Sequence, residues 1–366
     1  MMQNQNKIII GLVILIVAFG LLVLYSVTYQ REALFKDIFL NQLSRAVMGI
    51  IILLLVSNIN YRRYFDLAFF IYGASILFLL IVLVTGREIL GARRWVEFMG
   101  LNFQPSEIAK LGVILVLARI FSQRQLYEQN YFSGPAFITE VALPLFITLV
   151  PVGLIFLQPD LGTALLFIPI FLTLFFVCGT KIKYVFSLIT LLLLSVPVGW
   201  HFLRPYQKDR LMVFLNPNID PLGAGYTVIQ SKIAVGSGGF LGKGWLAGTQ
   251  NQLNFLPERH TDFIFSVIGE EWGFLGTLLL LLLYAALLYY LLQIAFQAKD
   301  KFAKYLSIGF ITLLSSQIII NISMTIGICP VVGLSLPFIS YGGSSMLTFL
   351  IFIAILLNIN KKRIVF

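Results

Sequence analysis

Apolar runs long enough to cross a bilayer recur along this chain from one end to the other, and nothing else in it restricts the possible folds as much. About 18 or more apolar residues span roughly 30 Å of hydrocarbon as a helix. A backbone in lipid must also satisfy its own polar groups. The runs cover about 8–25, 43–57, 65–85, 107–121, 136–157, 160–178, 182–203, 263–295, 303–327 and 336–360. They predict an all-α integral membrane protein with about ten transmembrane helices. Composition agrees: 59% of the 366 residues are hydrophobic and 11% charged, where a soluble domain averages roughly 25% charged. The first run is not read as a signal peptide, because no small-residue cleavage site follows it and more spans do.

The formal charge of +10 would point a soluble protein towards nucleic acid. Here the basic residues sit in short loops at span ends, where they act as topology signals and meet anionic headgroups; no nucleic-acid partner is expected. An even number of spans puts both termini on one side. Lys7, Arg62, Arg63, Arg119, Arg124, Lys181, Lys183, Lys299, Lys301, Lys304, Lys361, Lys362 and Arg363 share that side, which is therefore predicted to be cytoplasmic. The opposite side is basic as well, mostly in the segments 86–106 and 204–262, and a basic outer surface hints at an anionic ligand. The 204–262 loop stands out in a tightly connected chain. Loops beyond about 15 residues are usually functional or disordered, and this one carries Tyr226, Trp245 and Phe255, so it is expected to fold on the outer face. The chain reads as a single membrane domain, 1–366, with this loop inside it.

Ionisable groups at membrane depth are expensive and each is a functional candidate. The densest run is Leu256-Pro-Glu258-Arg259-His260-Thr261-Asp262-Phe-Ile-Phe265, leading into the eighth span. Asp262 reads either as a functional carboxylate or as a helix N-cap. Glu270 and Glu271 follow two turns on, with a buried hydrogen-bonded pair as the structural alternative. Gln104-Pro-Ser-Glu107-Ile-Ala-Lys110 puts Glu107 and Lys110 three residues apart on one helix face: an intrahelical ion pair, or the lining of an outward-facing cavity. In Gln158-Pro-Asp160-Leu-Gly-Thr163, Asp160 reads as a cap or the partner of a basic residue. Gly91-Ala-Arg93-Arg94-Trp95 suits interfacial anchoring or phosphate binding. Pro337-Phe-Ile-Ser340-Tyr341-Gly-Gly343 predicts a bent, partly unwound tenth helix. The two histidines, His201 and His260, have no metal-ligand spacing, and Cys178 and Cys329 read as small core residues. Gly236-Ser-Gly-Gly239 and Gly242-Lys-Gly244 lack the phosphate-loop pattern and read as flexibility in a tight loop.

Those motifs, in that order and between those spans, resemble the SEDS family of bacterial cell-wall polymerases. Asp220-Pro-Leu-Gly-Ala-Gly-Tyr226 and Gln230-Ser-Lys232-Ile-Ala234 belong to the same likeness, which covers nearly the whole chain. Gly242-Lys-Gly-Trp245, Gly248-Thr-Gln-Asn-Gln-Leu253 and Pro330-Val-Val-Gly333 are nearer to the members that serve elongation and rod shape than to those that serve division.

The resemblance implies a peptidoglycan glycosyltransferase that polymerises lipid II on the outer face of the cytoplasmic membrane. It would work beside a class B penicillin-binding protein and other elongation proteins. It implies Asp262 as the catalytic carboxylate and a divalent cation, Mg2+ or Mn2+, with Asp262 and Glu107 as the nearest ligands. An inverting displacement on a pyrophosphate-linked donor needs one base and positive charge at the leaving group. Arg45, Arg93, Arg94, Lys110, Lys232, Arg259 and His260, with Glu107, are the candidates for substrate binding. Asp160, Glu258, Ser340 and Tyr341 are expected to support the site. Two other readings fit the same spans: a lipid II flippase, which would need a polar path to both faces, and a non-catalytic scaffold for a penicillin-binding protein.

Overall fold

The computed structural model describes residues 2–29, 35–89, 92–98, 101–123 and 138–362. Arg31, Arg124, Arg363 and Gly91 fall outside these, as do the side chains of Lys36, Arg87 and Arg93. Among the described residues, long helices follow the apolar runs: α1 Met2–Thr28, α2 Asn41–Val56, α3 Arg62–Thr85, α4 Pro105–Gln123, α5 Leu143–Leu157, α6 Leu161–Val177 and α7 Ile182–Phe202. The 204–262 segment is largely helical, with α8 Pro205–Leu215, α9 Ala224–Ser237 and a single turn at Thr249–Gln252. The chain closes with α10 Ile264–Phe296, α11 Lys301–Ile326 and α12 Gly343–Lys362.

Seven of these helices are long and apolar enough to cross a membrane, and α5 and α6 are shorter apolar helices. The remaining predicted span, α4, carries Glu107, Lys110 and Arg119. Large apolar side chains such as Leu55, Phe70, Val84 and Phe146 are exposed, the pattern of a surface whose solvent is hydrocarbon. This is a multi-pass integral membrane protein.

Three departures from the sequence reading stand out. Within this all-α membrane fold the long segment 86–106 is not a plain loop: Arg87–Ile89, Ala92–Phe98 and Leu101–Phe103 form a small antiparallel sheet in the order β1-β2-β3, with Glu88 opposite Arg93 and Glu97 opposite Asn102. The β-favouring run Trp95-Val96, Phe98 and Phe103 is too short to mark strands within what reads as a long segment between two spans. The tenth helix begins at Gly343 rather than near 336, because Pro337 to Gly342 form turns. The eighth span is broken at Gly273, where φ is 63° and ψ −157°, a conformation essentially reserved for glycine.

The chain divides into two compact units, Met1–Ile51 with Gly199–Tyr290 and Ser315–Phe349, and Ile52–Val198 with Leu291–Leu314 and Leu350–Phe366. In the second unit α4 is the buried centre, with Val113 to Leu117 fully enclosed, and Phe310 stacks on Phe352 at 4.3 Å. In the first unit the organising feature is the break in α10. The Lys243 and Gly244 amides donate to the carbonyls of Glu270 and Glu271 at 2.9 and 3.0 Å, and the Phe274 and Leu275 amides donate to Gly239 and Phe240. Backbone groups freed by the break are thus paired with the glycine loop. A Cβ on Gly242 would strike the Glu271 carbonyl, and one on Gly273 the Gly242 nitrogen. The glycines read as flexible elements instead permit close approach of two backbones.

Candidate active site

Two irregular segments of the first unit face each other, residues 257–263 ahead of α10 and 330–342 ahead of α12. The Tyr341 amide donates to the His260 carbonyl at 2.8 Å. Ser340 Oγ donates to the Thr261 carbonyl at 2.6 Å and accepts the Leu336 amide at 2.7 Å. Asn321 Nδ2, from the fully buried side of α11, donates to the carbonyls of Asp262 at 2.9 Å and Leu334 at 2.6 Å. Gln42 Nε2 on α2 donates to the Ser340 carbonyl at 3.1 Å. The backbone of Asp262 is therefore held from two sides.

α10 starts at Ile264, two residues beyond Asp262, so Asp262 is not at the capping position. Its side chain is half-buried. An added Cβ on Gly333 would have Asp262 Oδ2 at 3.5 Å and Arg210 Nη1 at 3.8 Å, so carboxylate and guanidinium flank that glycine. Arg210 on α8 also donates to the Val331 carbonyl at 3.3 Å. Glu258 takes a positive φ of 48°, and its carboxylate accepts Thr261 Oγ1 at 3.1 Å. Arg259 is buried. His260 packs edge-on to Tyr341 with centroids 6.0 Å apart. Burial, helped by Arg259 and opposed by Glu258, lowers the His260 pKa and favours the neutral ring.

The Arg45 guanidinium lies 5.2 Å over the Tyr341 ring and against Gly343, the first residue of α12. A cation at the positive end of a helix is unfavourable by itself, and an anion seated between the two reverses that. Lys232 on α9 is exposed and covers Gly327. Its neighbour Ser231 pins α9 by hydrogen bonds with Ser266 Oγ and the Thr325 carbonyl.

In the second unit, Glu107 and Lys110 form a buried ion pair at 2.8 Å, with Ser106 Oγ and Glu107 Oε2 lacking partners. Asp160 caps α6: its oxygens accept the Thr163 amide at 3.2 Å and Thr163 Oγ1 at 2.9 Å. Gln104 Nε2 donates to the same carboxylate at 3.0 Å, and Arg94 Nη1 lies 3.6 Å away. These contacts match the structural alternatives for both motifs. Glu270 and Glu271 likewise form a buried hydrogen-bonded group.

Among the described residues no three His, Cys, Asp or Glu side chains gather closely enough to hold an ion. The Asp262 carboxylate and the Arg210 guanidinium both approach Gly333, and Glu107 is paired with the Lys110 ammonium. The described residues alone therefore make no three-ligand cation site at Asp262.

Sequence reasoning overlooked Arg210, Asn321 and Gln42. The two amides carried a readable signal, being polar groups within apolar spans. Arg210 carried none, since it was one of many basic residues in the 204–262 segment.

A family model described as "Cell cycle protein", covering FtsW, RodA and SpoVE, matches residues 6–364. The chain is 39% identical to the peptidoglycan glycosyltransferase MrdB of Escherichia coli K12 over 349 residues, 95% of this chain and 91% of that one. A solved chain from a peptidoglycan synthase complex that coordinates polymerization and crosslinking superposes with a TM-score of 0.80 at 37% identity, covering 98% of each chain. The rod shape determining protein RodA of Thermus thermophilus superposes with a TM-score of 0.71 at 32% identity, over 97% of this chain and 96% of that one.

Proposed function

Because this chain belongs to the FtsW/RodA/SpoVE family, we propose that it is a peptidoglycan glycosyltransferase of the elongation type, joining lipid II units into β-1,4 glycan strands on the outer face of the cytoplasmic membrane. The observation that carries the reading is Asp262: a half-buried carboxylate beside the Arg210 guanidinium, with its backbone carbonyl held by Asn321.

In the proposed reaction the acceptor 4-hydroxyl attacks the anomeric carbon of the donor. The new carbon–oxygen bond forms as the bond to pyrophosphate breaks. The hydroxyl proton passes to the Asp262 carboxylate and the bonding electrons leave with the pyrophosphate, so an α-linked donor gives a β linkage in one displacement. A positioned base contributes about 10²–10⁴-fold. Positive charge for the leaving group is assigned to Arg45 with the N-terminus of α12, and to Arg210 and Lys232. His260 and Tyr341 support this end of the site, and Ser340 and Glu258 hold its backbone. The Arg94–Asp160 contact and the Glu107–Lys110 pair are assigned to holding the second unit. Arg93 and Arg259 remain candidates for phosphate contact.

Both termini are assigned to the cytoplasm, supported by the basic residues at alternate span ends. A class B penicillin-binding protein is the proposed membrane partner, supported by the synthase complex in which the similar solved chain was found.

The test is polymerisation of lipid II by the purified chain with its transpeptidase partner, resolved on a gel. Asp262→Asn keeps the shape and removes the base, and product should fall by about 10²-fold or more. Glycan made at the native rate by that variant would overturn the assignment.

A further inference from the structure

The break in α10 encloses a cluster of acceptor oxygens that the proposed reaction does not use. Glu270 is fully buried, Glu271 is 1% exposed and Asn251 2% exposed. An added Cβ on Gly248 would have Glu270 Oε2 at 3.0 Å and Glu271 Oε1 at 3.2 Å, so the two carboxylates lie side by side. Glu270 is matched: Lys243 Nζ lies 2.7 Å from Oε1, and Thr249 Oγ1 and the Gln250 amide both donate to it at 3.0 Å. Glu271 is matched on one oxygen only. Its Oε1 accepts Ser26 Oγ at 2.6 Å and Asn251 Nδ2 at 3.3 Å, and the Leu246 amide also faces the carboxylate.

What remains is one-sided. Glu271 Oε2, Asn251 Oδ1 and Gln250 Oε1 are all buried and have no hydrogen-bond partner. All three are acceptors. Buried acceptors without partners cost about 1–3 kcal/mol each, and their residues are neighbours: Asn251 Nδ2 contacts Glu271 Oε1, and the Gln250 amide contacts Glu270. The charged groups of the cluster are two carboxylates and one ammonium, which leaves a single negative charge. The cluster sits where the first half of α10 ends, and the negative end of a helix dipole favours a cation. Broken membrane helices bind small cations with this combination of half-helix C-terminus and oxygen ligands.

We propose that this cluster is a binding site for a hard, oxygen-ligated cation, monovalent by the charge balance, held by Glu271 Oε2, Asn251 Oδ1 and Gln250 Oε1. An all-oxygen donor set selects hard ions over transition metals. Exposed Thr249 and half-buried Gln250 form the rim through which the ion enters. The bound ion would fasten the break to the glycine loop, and so fix the half-helix that follows Asp262.

The test uses the full chain in detergent. Its thermal midpoint is followed by tryptophan fluorescence in NaCl, KCl, MgCl2 or CaCl2 against choline chloride at equal ionic strength, and ion content is measured by equilibrium dialysis with elemental analysis. NaCl or KCl should raise the midpoint by about 5 °C near saturation and load at one ion per chain, whereas a response confined to MgCl2 or CaCl2 would overturn the monovalent assignment. Asp262→Asn should keep both effects, which separates this site from any ion at the proposed active site. Glu271→Gln should lose both. Equal midpoints in choline and in every metal chloride, or no bound ion by dialysis, would overturn the proposal and mean that a proton on Glu271 balances the cluster; an undiminished shift in Glu271→Gln would overturn it by placing the ion elsewhere. The dialysis of the unaltered chain decides the matter even if Glu271→Gln does not fold.

Discussion

Asn321 is the sharpest place to separate positioning from chemistry. Its side-chain amide makes both of its hydrogen bonds to backbone carbonyls, Asp262 at 2.9 Å and Leu334 at 2.6 Å, and it is fully buried. Asn321→Leu keeps roughly the volume and removes both. Each bond is worth about 1 kcal/mol net, and each stranded carbonyl adds up to about 1–3 kcal/mol. Removing Asn321 Oδ1, itself buried and without a partner, offsets part of this, by about 1 kcal/mol on the same scale. With each stranded carbonyl taken at the low end of about 1 kcal/mol, the balance is a loss of about 3 kcal/mol, or a midpoint lower by roughly 4 °C for a chain of 366 residues. The consequence for turnover is separate. A displacement of about 1 Å at a reacting group costs about 10²-fold, and Asn321 restrains the residue that carries the proposed base. Steady-state assays with lipid II should show kcat lower by about 10- to 100-fold with KM changed little, measured at a temperature where the variant is fully folded. Asn321→Asp, which turns the donor into an acceptor facing two carbonyls, should be at least as damaging at neutral pH. A folded Asn321→Leu variant with native kcat would refute the claim that this amide positions Asp262.

Two further outcomes follow from the same geometry. Lys110→Met leaves Glu107 buried and uncompensated and should lower stability by about 3–5 kcal/mol, whereas Lys110→Met with Glu107→Gln should recover most of it; thermal unfolding of the two variants makes the comparison. Gly273→Ala forces a side chain into a backbone conformation costing about 1–3 kcal/mol and drives its Cβ into the Gly242 nitrogen. Its midpoint should fall, and at temperatures where it stays folded it should polymerise more slowly.

The ten spans were legible in the sequence because hydropathy over about 20 residues is a local property set by bilayer thickness. The polar run ending at Asp262 was legible as well, because ionisable residues at membrane depth are expensive and each is a functional candidate, although an N-cap explained Asp262 equally well from the sequence. The structural options for Glu107, Lys110 and Asp160 were readable too, since their partners lie three residues away. The break in α10 was not, although Gly273 was in view. An isolated glycine in an apolar run is compatible with a continuous helix, and only the loop at 239–244, with amides and carbonyls to pair the interrupted backbone, makes the break favourable. Asn321 meets Asp262 across 59 positions and Arg210 meets Val331 across 121. Sequence alone therefore determined that this chain lies in a membrane, and it singled out Asp262 as the carboxylate to which the proposed chemistry is assigned. Only the tertiary structure decided which amide holds the Asp262 backbone carbonyl, that Arg210 meets the same glycine as the Asp262 carboxylate, and where acceptors are left in excess, because those pairings are made by segments far apart in the chain.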